Sequence, residues 1–169
     1  VVAETSCVKI DPSYDLRKLG PLGCGIQTGA GAILNTLQVE PGSSVVIAGA
    51  GSLGLSAVMA AKVAGAGTIV AIDRHANRLE LAERYGATAT LSPSPDQLAA
   101  AIHAATGGGA DYAFDTTGNA SVVRGLYEGL NNIGTLGMAG VGFGEVTLDF
   151  LSMIGGRTIT GVMEGDSTP

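Results

Sequence analysis

The sequence predicts an α/β domain: a doubly wound parallel sheet of six strands between two layers of helices. Three observations carry the prediction. Short runs of small and β-branched residues alternate five times with segments of helical period. The first run, Val45 to Ala48, passes through Gly49-Ala50-Gly51-Ser52-Leu53-Gly54 straight into an apolar helix. The second run ends in Asp73, about twenty residues beyond the last of those glycines. Right-handed crossovers turn such an alternation into one parallel sheet of order 3-2-1-4-5-6.

Taken in order, Val1 to Ile10 alternates loosely, as an edge strand does, and has no partner strand nearby in sequence. Asp11 to Gly20 carries a proline, charges of both signs, Leu16 and Leu19, and reads as a short helical linker. With no initiator methionine, residues 1–20 are expected to be the edge and linker of a catalytic domain lying upstream, and 21–169 a nucleotide-binding domain. Ile26 to Leu37 is a glycine-rich helix that permits close approach of another backbone. Pro41-Gly42 turns the chain into the glycine-terminated strand.

The first crossover helix runs from Ser52 to Ala64 and stops at Gly65; strand Thr68 to Asp73 follows. Helix Ala76 to Tyr85 turns Leu79, Ala82 and Tyr85 inward, sets Glu80 and Arg84 outside, and ends at Gly86. A short strand, Thr88 to Leu91, leads through Pro93 and Pro95 to helix Asp96–Thr106, with Leu98, Ile102 and Ala105 inside. Gly107-Gly108-Gly109 breaks it before strand Asp111–Asp115. Helix Ala120–Leu130, strand Ile133–Met138, a short helix over Leu148–Ile154 and a sixth strand Arg157–Val162 complete the expected order.

Composition bounds the function. A chain of 169 residues, 46% hydrophobic and 14% charged, suffices for one well-packed core. A net charge of −6 excludes a nucleic-acid backbone as partner. No apolar run approaches the length of a membrane span and no signal peptide opens the chain. The two cysteines, Cys7 and Cys24, form no disulfide framework, which points to a reducing, cytoplasmic setting. His75 and His103 read as surface residues.

Each glycine of the turn has a distinct task. Gly49 permits the turn, Gly51 lets backbone approach a pyrophosphate, and Gly54 lets the helix pack on the strand. The free N–H groups from Ser52 onward form an anion site at the helix start. Asp73 suits the ribose hydroxyls of NAD and repels the 2′-phosphate of NADP, although Arg74 beside it could accommodate that phosphate. Together these features make a Rossmann fingerprint. A methyltransferase binding S-adenosylmethionine shares the glycines but inserts an antiparallel strand, and the glycine-bounded sixth strand here gives no sign of one.

With these motifs and the segment Gly23-Cys24-Gly25-Ile26-Gln27-Thr28-Gly29-Ala30-Gly31, the chain resembles the zinc-dependent medium-chain alcohol dehydrogenases. Its tail, Gly161-Val162-Met163-Glu164-Gly165-Asp166-Ser167, looks most like their aryl-alcohol branch. The resemblance implies NAD-dependent oxidation of an aromatic primary alcohol, with zinc lowering the alcohol's pKa and hydride passing to the nicotinamide.

By that resemblance Cys24 is one protein ligand of the catalytic zinc; by itself it also reads as a buried helix-start cysteine. The family's remaining ligands, a Cys and a His, belong to the upstream domain, so this chain is expected to be metal-free. Thr28 and Leu53 match positions on the nicotinamide side, and Arg78 a basic position beside the adenosine ribose or a solvated helix charge. Thr116, Thr117 and Gly118 either meet the ligand or cap the next helix. Ala139, Gly140 and Val141 match contacts to the nicotinamide ribose, and Met163 and Glu164 backbone contacts to the carboxamide. Gly144 to Leu148 alternates apolar and polar residues, and Glu145 to Leu148 is expected to pair with a second copy as a homodimer, or to be a surface loop. The rival readings are a zinc-free quinone or enone reductase using NADPH, and a nucleotide-binding module without chemistry.

Overall fold

The computed structural model describes residues 2–4 and 7–167. Its centre is a six-stranded, wholly parallel sheet in the order β3-β2-β1-β4-β5-β6. The strands are β1 Ser44–Ala48, β2 Thr68–Ile72, β3 Ala89–Leu91, β4 Ala110–Asp115, β5 Leu130–Met138 and β6 Thr158–Gly161. The helices are α1 Gln27–Gly31, α2 Ser52–Val63, α3 Ala76–Tyr85, α4 Leu98–Thr106, α5 Ala120–Glu128 and α6 Phe150–Ile154. This is the doubly wound, three-layer Rossmann architecture that the alternation predicts.

Burial follows from the two-fold period of the strands. Val45 and Ile47 of β1 point to one face, where they join Ile69, Phe114 and the inner residues of α2 and α3. Val46 and Ala48 point to the other, where they meet Val70, Ala113, Leu136 and the inner residues of α4 and α5. Every residue of β1 after Ser44 is therefore buried, as a parallel strand covered on both faces requires. Each large side chain enclosed this way, Phe114 or Leu136 for example, contributes about 1.5–3 kcal/mol through removal from water.

Several elements depart from the sequence reading. Among the described residues of 1–10 there is no strand, because no neighbouring strand is present to complete a ladder; the linker keeps one 3-10 turn, Leu16–Lys18, capped by Asp15. The glycine-rich helix begins earlier than Ile26: π-helical turns Leu22–Ile26 and Ala32–Thr36 flank α1. Its glycines explain the close packing. A Cβ on Gly29 would collide with the Leu53 carbonyl of α2, and one on Gly31 with the Gly165 carbonyl. Tyr85 does not face inward; it is 42% exposed, and only Ala82 of α3 is fully buried. α5 stops at Glu128 and β5 starts at Leu130, earlier than Ile133, with a register shift between Ala110 and Tyr112 that absorbs the additional residues. Arg157 holds this irregular start by donating to the carbonyls of Leu130 and Asn131 while stacking on Tyr127 at 5.2 Å.

Candidate functional site

β1 and β4 lie side by side, yet their connections leave to opposite faces, β1 into α2 and β4 into α5. At such a switch point the carboxyl ends of the strands open a crevice. Here it is a cleft of about 650 Å³, lined by Gly49, Gly51, Asp73, Arg78, Thr116 and Thr117 among others.

The glycine turn has the geometry its spacing demands. Gly49 sits at φ +92°, in the left-handed region, and a side chain there would strike Thr116 Oγ1. Gly54 packs so closely that a Cβ would collide with the Gly49 carbonyl. Gly51 differs, because the space where its Cβ would stand is open to 4 Å, leaving a bare backbone cradle. No side chain caps α2, so the amide groups of its first turn remain for a ligand or solvent.

Asp73 forms the opposite wall and is 8% exposed. Its Oδ2 accepts from the Ala50 amide at 2.8 Å and its Oδ1 from the His75 amide at 2.9 Å; Arg78 lies 3.5 Å away. The acid thus pins the glycine turn to the end of β2 while still facing the cleft. Burial pushes its carboxyl up, but the two backbone donors and Arg78 outweigh this and hold it below the usual carboxylate value.

Thr116 secures the third strand end. Its hydroxyl donates to the Ala48 carbonyl at 2.8 Å and its amide to the same oxygen at 3.0 Å. Asn119, not Thr116 or Thr117, caps α5, accepting from the amides of Ser121 and Val122. The two threonines are therefore not engaged as helix caps, and they border the cleft.

The remaining predicted positions lie beyond this cleft. Ser52 is exposed and Leu53 half-buried in the first turn of α2; Thr28 is buried on α1. Ala139 and Gly140 follow β5 and are half-buried, whereas Val141 is 89% exposed. Met163 is exposed and Glu164 takes φ +51°, within a turn bonded by Asn35 and Thr36 next to α1. Cys24 is an exposed free thiol, which removes the buried-cysteine alternative. Among the described residues no cluster of three or more His, Cys, Asp or Glu could hold a metal ion. His75 and His103 are both exposed.

Sequence reasoning missed Ser92, Pro93 and Pro95 after β3, and Asn119 and Val122 at the start of α5, all of which line the cleft. Topology was the available signal, since the loops after β3 and β4 necessarily border a crevice beside β1.

The model of the family described as zinc-binding dehydrogenase matches residues 52–169. A geraniol dehydrogenase of Castellaniella defragrans is 42% identical across the whole chain, which covers 46% of that relative. A zinc-binding-domain alcohol dehydrogenase of Burkholderia ambifaria superposes with a TM-score of 0.91 at 45% identity, over 97% of this chain and 45% of that one. The benzyl alcohol dehydrogenase of Acinetobacter calcoaceticus superposes at 0.89 with 42% identity, over 96% of this chain and 46% of that one. The chain belongs to the zinc-binding dehydrogenase family and spans about half the length of the relatives it matches.

Proposed function

We propose that the chain is the coenzyme-binding domain, residues 21–169, of an NAD-dependent zinc alcohol dehydrogenase that moves hydride between a primary, aromatic alcohol and NAD. The observation that carries this reading is the open backbone at Gly51 in the same cleft as the ionised Asp73. A pyrophosphate is accommodated over Gly51, Ser52 and the first turn of α2, where free amides and the helix dipole favour negative charge. Asp73 and Arg78 take the adenosine ribose. Thr28, Leu53 and Ala139 to Val141 flank the nicotinamide and its ribose, and the backbone of Met163 and Glu164 meets the carboxamide. NAD supplies the hydride-accepting carbon, and the protein supplies orientation and exclusion of water.

Cys24 contributes one thiolate to the zinc of the intact enzyme. One donor does not complete a tetrahedral shell, so the residues described here do not hold the ion by themselves. The aromatic substrate is supported by the likeness to a benzyl alcohol dehydrogenase. A cytoplasmic location is supported by two free cysteines and by the absence, among the described residues, of a helix able to cross a membrane.

Calorimetry tests the cofactor. NAD⁺ is expected to bind more tightly than NADP⁺, and Asp73→Ser to narrow the gap. Arg74, which lines the same wall, favours the alternative of an NADPH-dependent quinone or enone reductase. Binding of NADP⁺ by the unaltered chain as tight as that of NAD⁺, or tighter, would overturn the assignment of Asp73. The homodimer rests on Gly144 to Leu148, which pairs with no strand among the described residues, and on Val146, which is 37% exposed. Light scattering is expected to give the mass of two chains, and Val146→Pro to halve it without loss of NAD binding.

A further inference from the structure

Asp115, the last residue of β4, is completely buried, and no step of hydride transfer requires a carboxylate there. Its bonds run to two different loops. Oδ1 accepts from the Thr117 amide at 3.1 Å and the Thr117 hydroxyl at 2.7 Å, and Oδ2 accepts from the Gly118 amide at 2.9 Å. Its backbone carbonyl accepts from the amides of Ala139 at 3.0 Å and Gly140 at 3.1 Å, across the strand boundary in the loop after β5.

The two loops also touch through bare backbone. A Cβ on Gly142 would collide with the Gly118 carbonyl, and one on Gly140 would lie 2.6 Å from Asp115 Oδ2. Gly118 itself takes φ +64° against the Val141 carbonyl. Close-packed contacts of this kind do not deform continuously, so one loop cannot shift without the other.

We propose that Asp115 is a positioning residue that locks the loops after β4 and β5 into one rigid wall. Thr116 and Thr117 face the adenosine side of the cleft, and Ala139 to Val141 lie beyond it. Binding at the adenosine side is thereby coupled to the placement of the loop assigned to the nicotinamide ribose. The inference rests on the dinucleotide reading of the cleft.

The test uses the whole chain with AMP, which reaches only the adenosine half, and reads the dissociation constant below the melting temperature. Gly142 does not line the cleft. Gly142→Ala and Asp115→Asn are each expected to weaken AMP binding about fivefold or more through this coupling. Gly142→Ala, which touches neither the cleft nor Asp115, decides the matter if Asp115→Asn does not fold. A purely structural role lowers the melting temperature and leaves AMP affinity in the folded variants within about twofold of the original, and that result overturns the proposal. An unaltered chain that binds neither AMP nor NAD⁺ overturns the dinucleotide reading itself, and the coupling with it.

Discussion

Two clefts lie at opposite ends of the same sheet, and each has a carboxylate in its wall. The one at the carboxyl ends holds Asp73 beside the glycine turn; the one at the amino ends, about 340 Å³, holds Asp111 with Glu40, Tyr112 and Asn131. Asp111 is fully engaged: Oδ2 accepts from the amide and the hydroxyl of Ser44, both at 2.8 Å, and Oδ1 accepts from Asn131 at 2.6 Å. It ties the starts of β1, β4 and β5 as Asp73 and Asp115 tie strand ends. The Tyr112 phenol is held above its usual value, first by burial and then by the negative charge of Glu40. A field of that sign repels anions, and the helices that reach this edge present their carbonyl ends. An acid in a cleft is therefore not what distinguishes the proposed nucleotide site. The polarity of strands and helices chooses the edge, and the glycine turn supplies bare backbone there.

The sharpest break in this contrast is Gly54→Ala. Its Cβ meets the Gly49 carbonyl, a backbone atom that cannot swing aside, so a loss of about 3 kcal/mol in denaturant unfolding is expected together with loss of NAD⁺ binding. Asp111→Ala separates the two ends. It strands the Ser44 amide and is expected to cost about 2 kcal/mol in the same assay while leaving the NAD⁺ dissociation constant unchanged. If that variant binds NAD⁺ poorly when folded, the amino-end cleft is part of the site and the contrast fails.

Gly51→Ala reverses the pattern. At φ −81°, ψ −169° an alanine is unstrained, so stability is expected to hold or rise by about 0.4–1 kcal/mol. The added methyl occupies the cradle, and calorimetry is expected to register about tenfold weaker NAD⁺ binding, near 1.4 kcal/mol. The smallest effect concerns pH. Because the folded carboxyl of Asp73 lies below its ordinary 3.8, its stabilisation is complete above 3.8 and disappears as pH falls through the lower folded value. Asp73→Asn is therefore expected to lower stability by a constant amount above 3.8 and to converge with the unaltered chain in acid, and an acid limb as steep as the original would show that Asp73 is not the group responsible.

The contrast between the clefts also separates what could be read from residue order from what could not. The fold class, the strand order and α3 at Ala76–Tyr85 were legible, because period, glycine punctuation and crossover handedness are local or topological rules. So were the separate tasks of Gly49 and Gly54, since each follows from a strand turning directly into a helix. The sequence does not reveal that Asp73 bonds the Ala50 amide 23 residues away, that the Asp115 carboxylate holds the Thr117 and Gly118 amides, or that Asp111 and Asn131 share one hydrogen bond. To a periodic pattern the three aspartates look alike, as polar residues at the ends of apolar runs. Only the packing of neighbouring strands decides which amides lie within bonding distance of each carboxylate. For the same reason Tyr85 fits the inner stripe of its helix by period yet is 42% exposed, at the end of the helix that leads to the edge strand β3.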